Sequence, residues 1–185
     1  MASDLSNIFK EELANTLEQL LSNSSSVESI NDFSVENYDS SQFIEAEVKF
    51  EFKDVSAKSY FYIPTVTATK FEYLMLGGMG DLKEHIDDEI TDAVNEIISN
   101  ICGSFSTAVN AQGFADIGSI KTEVLGSKIV ESDVLTSKEN IFEFIVSLGE
   151  EKLPIVISFE QLLAPFFSTI TGSDSQAEQA AGSEQ

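Results

Sequence analysis

Asp92, Glu96, Ser99 and Gly103 fall in line at intervals of four, three and four residues, and Asn100 follows Glu96 by one turn. That spacing sets a carboxylate beside a carboxamide on one face of a helix. The pair could do chemistry: the carboxylate offers a charge, and the amide can accept from water or donate to it without changing its own charge. Ordinary solvated polar residues on the wet side of a helix would show the same spacing.

The element that must carry these residues is well marked. Ile90, Val94, Ile97, Ile98, Ile101, Phe105, Ala108 and Val109 repeat at the 3.6-residue period, which predicts an amphipathic helix over 88–112. A first helix is predicted over 4–22, with Leu5, Phe9, Leu13, Leu17 and Leu20 as its apolar stripe and Ser3 or Asp4 as its cap. Residues 23–41 are rich in Ser, Asn, Asp and Glu and read as a loop.

Residues 42–53 alternate, with Ile44, Ala46, Val48, Phe50 and Phe52 on one side and Glu45, Glu47, Lys49 and Glu51 on the other. They form a strand with one wet face, and 59–63 returns as a second strand ended by Pro64. A short helix over 68–76 is closed by Gly77 and Gly78. An acidic linker, 79–89, leads into the long helix. Strands are then expected at 119–125, 128–134, 141–148 and 153–158, with a hairpin turn at 149–152 and a closing helix over 159–170. From Thr171 the chain turns to Ser, Gln, Glu, Ala and Gly, so 173–185 is expected to be a disordered tail or a linker.

Composition sets further bounds. The chain has 185 residues, enough for one domain with a real core. Its formal charge is -22, from 32 acidic residues against 10 basic ones, and every basic residue is lysine. So negative a surface argues against nucleic acid and anionic membranes and suits a basic protein surface. The lone Cys102 falls near the apolar side of the long helix and reads as a small core residue; the lone His85 reads as a surface residue. No signal peptide and no apolar run of roughly 20 residues is visible, so a cytoplasmic location without membrane insertion is expected.

The order of elements repeats: helix, loop, strands, proline, short helix, in half-repeats of about 4–78 and 84–170 within a domain spanning 1–172. Pro64 and Pro154 are expected to hold matching places in the two halves, each beside a strand that feeds a short helix. Residues 7–15 and 92–100 align at an offset of about 85, each with Asp or Asn, then Glu four on (Glu11, Glu96), then Asn four after that (Asn15, Asn100). The expected fold class is α/β in the broad sense, an α+β sandwich: a pseudo-twofold domain with two long amphipathic helices and shorter ones packed on a largely antiparallel sheet.

With these features the chain resembles the CheC, CheX and FliY group of phosphatases that act on the phosphorylated chemotaxis regulator CheY. The run LMLGGMGD (74–81) is similar to the family's LMxGGxG segment between halves, and DAVNEIISNICGS (92–104) to its second signature helix. Within the group, the likeness is nearest to FliY proteins of the ε-proteobacterial flagellar switch. The family signature is Asp or Ser, three residues, Glu, two residues, Asn. It implies a Glu that docks on a CheY lysine and an Asn that orients the attacking water.

Carried over, Asp92 and Glu96 match, but Ser99 stands at the Asn position and Asn100 one residue later, about 100° round an ideal helix. In the first helix Glu12 and Asn15 keep the Glu-x-x-Asn spacing, with Ile8 where Asp or Ser should be, while Glu11 and Asn15 fit the internal repeat. The resemblance thus implies Glu12, Asn15, Glu96, Asn100 and Ser99 as catalytic and Glu11 and Asp92 as contacts for phosphorylated CheY. It implies no cofactor of the chain's own, since Mg²⁺ arrives with phosphorylated CheY, and makes the switch proteins FliM, FliN and FliG candidate partners at the C-ring. Two other readings stand beside it: a non-catalytic module of the same fold, and a generic acidic interaction domain.

Overall fold

The computed structural model describes residues 2–38 and 42–172. The expected tail, 173–185, lies outside the described residues. Two helices form around the two apolar stripes, α1 (Ser6–Leu21) and α3 (Asp88–Gln112), with the shorter α2 (Thr65–Met75) between them in sequence and a single turn, α4 (Ser168–Thr171), at the end. Asp87 caps α3 by accepting from the Ile90 N–H at 2.9 Å, and Gly113 ends it in the left-handed conformation at φ 67°. Of the two caps expected for α1, Asp4 accepts from the Ser6 N–H, whereas Ser3 is tied to Asp116.

The strands are β1 (Ser25–Asp32), β2 (Gln42–Phe52), β3 (Val55–Pro64), β4 (Lys121–Glu131), β5 (Ile141–Leu148) and β6 (Glu151–Phe159). They make one antiparallel sheet in the order β1-β5-β6-β3-β2-β4. Exchanging β1 with β4, β2 with β5 and β3 with β6 reverses this order into itself, so the sheet has a pseudo-twofold axis between β3 and β6. Both hairpins use two-residue loops, which puts Lys53 on Gly149 and Asp54 on Glu150, an offset of 96 residues. At that offset Pro64 falls on Glu160 and Pro154 on Lys58, so the two prolines are not equivalent.

The helices cover one face of the sheet. Phe9 of α1 sits at the centre of that layer, its ring 5.5 to 6.1 Å from those of Phe61, Phe105, Phe144, Phe159 and Phe167. Tilted and edge-on contacts of this kind fix one helix on another and on the strands below. On the opposite face a smaller cluster of Phe43, Tyr62, Val130 and Val156 is covered by Tyr38 and Leu135, from two 3-10 turns at Val35–Tyr38 and Ser132–Ser137. The face expected to be wet is therefore partly closed: Glu45 is buried and accepts from the Tyr62 hydroxyl at 2.8 Å.

Three further expectations are corrected. Residues 23–41 are not all loop, since β1 lies within them and pairs along the edge of β5. The strands expected at 119–125 and 128–134 are one strand, β4, with a bulge at Leu125 where the pairing shifts between Glu47 and Val48. The closing helix over 159–170 is instead the end of β6, a 3-10 turn at Ala164–Phe167 and the single turn α4. Pro165 supplies no N–H there, and a long helix is not built.

Candidate functional site

The helix layer positions every residue singled out above. The Ser3 N–H and hydroxyl bond to Asp116, which sets the start of α1 against the end of α3, so the two helices run antiparallel side by side. α3 is also fastened to β4. The Ser127 hydroxyl donates to Asn95 Oδ1 at 2.6 Å, Thr122 donates to the Cys102 carbonyl at 3.1 Å, and Asn110 exchanges two bonds with the Ile120 backbone. These ties hold the outer face of α3, which carries Asp92, Glu96, Ser99, Asn100 and Gly103, in a fixed attitude.

Glu12, Ser99 and Asn100 come together. They line one shallow groove of about 560 Å³ with Gly103, Ser104, Thr107, Ala108 and Ala111. Glu12 is half-buried; Ser99, Asn100 and Gly103 are exposed. Glu11, Asn15, Asp92 and Glu96 are exposed on the same layer but do not line this groove. Ile8 is partly buried against the core, which gives its hydrophobic type a packing role where the family has Asp or Ser.

Asn100 does not reach the Glu96 carboxylate. Its Nδ2 donates instead to the Glu96 backbone carbonyl at 2.8 Å, which leaves Oδ1 as the open acceptor. Among the described residues, the side chains of Glu12, Asn15, Glu96 and Ser99 have no hydrogen-bond or ion-pair partner. No lysine lines the groove, so the Glu12 carboxylate meets no internal cation there. Hydroxyls at Ser99, Ser104 and Thr107, an amide oxygen and a carboxylate can together hold water or a cationic group. The bare backbone at Gly103 leaves room for either.

Sequence reasoning did not single out Ser104, Thr107 and Ala111, and it placed Ala108 on the apolar stripe rather than in the groove. Their small size was the available signal, together with a glycine inside a long helix, which costs about 1 kcal/mol and so asks for a reason. Cys102 and His85 are placed as expected. Cys102 is buried in the core, and burial pushes its thiol up to about 12; His85 is exposed. A larger recess of about 670 Å³ lies elsewhere, between the start of α2 and β5, and holds none of the residues predicted for the site. Among the described residues no helix is long and apolar enough to cross a membrane.

Neither a protein-family model nor a curated protein matches the chain. Solved structures do. The FliY structure of Thermotoga maritima is 17% identical and superposes with a TM-score of 0.67, over 90% of this chain and 93% of that one. The chemotaxis protein CheX of Vibrio vulnificus is 15% identical, with a TM-score of 0.57 over 84% of this chain and 99% of that one. The FliM middle domain of H. pylori is 10% identical, with a TM-score of 0.55 over 88% of this chain and 94% of that one. The likeness is one of fold: six antiparallel strands under a helix layer, as the resemblance in the sequence implied.

Proposed function

We propose that this chain, built on the fold it shares with FliY, CheX and the FliM middle domain, hydrolyses the aspartyl phosphate of CheY at or near the flagellar switch. The observation that carries this reading is the meeting of a partnerless carboxylate, Glu12, and a braced carboxamide, Asn100, in one open groove. An acyl phosphate is already reactive, so its hydrolysis mainly needs a docked substrate and a placed water. The water oxygen bonds to phosphorus as the bond to the acyl oxygen breaks. The CheY aspartate is regenerated as a carboxylate, inorganic phosphate is released, and the water protons pass to phosphate and solvent. Mg²⁺ belongs to the substrate's own aspartate pocket in this scheme. FliM, FliN and FliG are the proposed neighbours, in the cytoplasm at the C-ring.

A second reading has its own support. Ser99 stands where the family signature has Asn, and the Asn100 amide N–H is spent on a backbone carbonyl. Both features suit a module that binds phosphorylated CheY without hydrolysing it. The decay of phosphorylated CheY with and without the chain separates the two. Acceleration supports the phosphatase; binding without acceleration supports the module; the absence of both removes any role in the handling of CheY.

A further inference from the structure

We propose that the chain has a single composite site, in which Glu12 of the first half and Asn100 of the second act on the same bound substrate across the groove between α1 and α3. This rests on the phosphatase reading for its substrate. It departs from the sequence pattern, in which each helix would carry its own Glu and Asn. The groove is lined by Glu12, Ser99 and Asn100, whereas Asn15 and Glu96 lie outside it.

The lining is lopsided. Glu12 alone comes from α1, and the rest comes from α3. α1 contains no glycine, so it offers no bare stretch of helix to match that at Gly103, and the pseudo-twofold does not generate a second copy of the groove.

The two residues are also prepared for different tasks. Asn100 is braced: its Nδ2 bond to the Glu96 carbonyl holds the amide and leaves Oδ1 as its open acceptor, and the ties from Asn95, Cys102 and Asn110 to β4 and its approach hold the helix beneath it. A braced amide oxygen can accept from a water and fix its direction, which is what an in-line attack requires. Glu12 has no partner within the protein and is half-buried, so it is free to take a hydrogen-bond donor or a cation from the substrate protein. Gly103 leaves the groove open beside them: a Cβ there meets nothing within 4 Å. A side chain at 103 would lie back over the turn N-terminal to it, where Ser99 and Asn100 stand.

The test uses CheY in two forms: phosphorylated, for turnover, and carrying beryllofluoride, for binding. Calorimetry should give one CheY per chain. Asn100→Ala should keep that binding but lose acceleration by on the order of a hundredfold, the usual cost of a misplaced reacting group. Its loss should exceed that of Asn15→Ala by about an order of magnitude. Glu12→Gln should weaken binding. Melting temperatures show that each variant is folded.

A stoichiometry of two, or a loss in Asn15→Ala matching that in Asn100→Ala, overturns the composite site and leaves the phosphatase standing. No acceleration by the unaltered chain overturns the phosphatase. The composite site, which needs Asn100 to place the water, then falls with it, whereas binding that Glu12→Gln weakens supports the binding module. Absence of both binding and turnover overturns both ideas.

Discussion

Gly103 is the position where stability and function should part company. It is exposed in the interior of α3 at an ordinary helical φ, and a Cβ built there meets nothing within 4 Å. Alanine removes backbone freedom from the unfolded chain at no steric cost in the folded one. Gly103→Ala should therefore stabilise the protein by about 0.5–1 kcal/mol. For a chain of this size that is a rise in melting temperature of roughly 1–4 °C. Leucine is nearly as good a helix former, so Gly103→Leu should also fold, but its side chain covers the turn that carries Ser99 and Asn100. Thermal unfolding followed by circular dichroism, together with the decay of phosphorylated CheY, reads both effects on the same samples. The expected outcome is a Leu variant at least as stable as the parent and slower in turnover than the Ala variant by about tenfold or more, a barrier change of roughly 1.4 kcal/mol. A destabilised Ala variant would refute the helical reading of this position. A Leu variant with undiminished turnover would show that substrate does not use the groove.

Cys102 is buried with its thiol raised to about 12, so a thiol reagent should leave the native protein unlabelled at mildly alkaline pH and label one site after denaturation. Tyr38 and Tyr62 have their hydroxyls pushed up, by burial first and then by donation to Glu143 and Glu45. Their folded values lie above the ordinary 10.0, so the stability they contribute is complete below that pH and is lost as the pH rises. Alkaline titration followed by tyrosinate absorbance should show these two ionising only together with unfolding; early ionisation of all four tyrosines would contradict this. Lys83 reaches the buried Glu72 at 2.8 Å and Asp87 at 2.9 Å, joining α2 to the start of α3. Lys83→Met should lower the melting temperature by stranding the Glu72 carboxylate, and adding Glu72→Gln should restore part of the loss. A double variant no better than the single one would deny that coupling.

How far the fold was legible depended on how each element is held. α3 was read to its boundaries because a long stripe, an acidic cap and a terminal glycine all agree there. β1 was missed because it holds its place by hydrogen bonds to β5 rather than by burial. Its main apolar residues are Val27 and Ile30, and a bulge between Val27 and Ser29 breaks the alternation that would have announced it. The break expected between strands at 119–125 and 128–134 is not there: Gly126 sits opposite Glu47 beside a bulge, a distinction made by the partner strand and not by the local sequence. Glu45 alternates with apolar neighbours and read as wet, yet the distant Tyr38 and Leu135 help close that face.

The candidate site divides along the same line. The Glu and Asn positions within each helix follow from spacing, since a helix fixes which of its own residues share a face. Which residue of α1 meets which residue of α3 does not, because strand pairing locks registers and helix packing does not. The two hairpins superpose at an offset of 96 residues, while the helix sequences matched best at about 85. The connection after α3, running through Gly113 to Ile120, is longer than that between α1 and β1, and α3 itself is longer than α1. Slack of this kind lets a symmetric sheet carry an asymmetric helix layer. The first helix can then give up Asp or Ser at Ile8 to the core and the second can give up Asn at Ser99, provided that the groove between them still receives one carboxylate and one amide. The departures from the family signature, taken helix by helix, look like decay. Taken across the groove, they still leave one carboxylate and one amide on its lining, Glu12 and Asn100, which is what the proposed composite site requires.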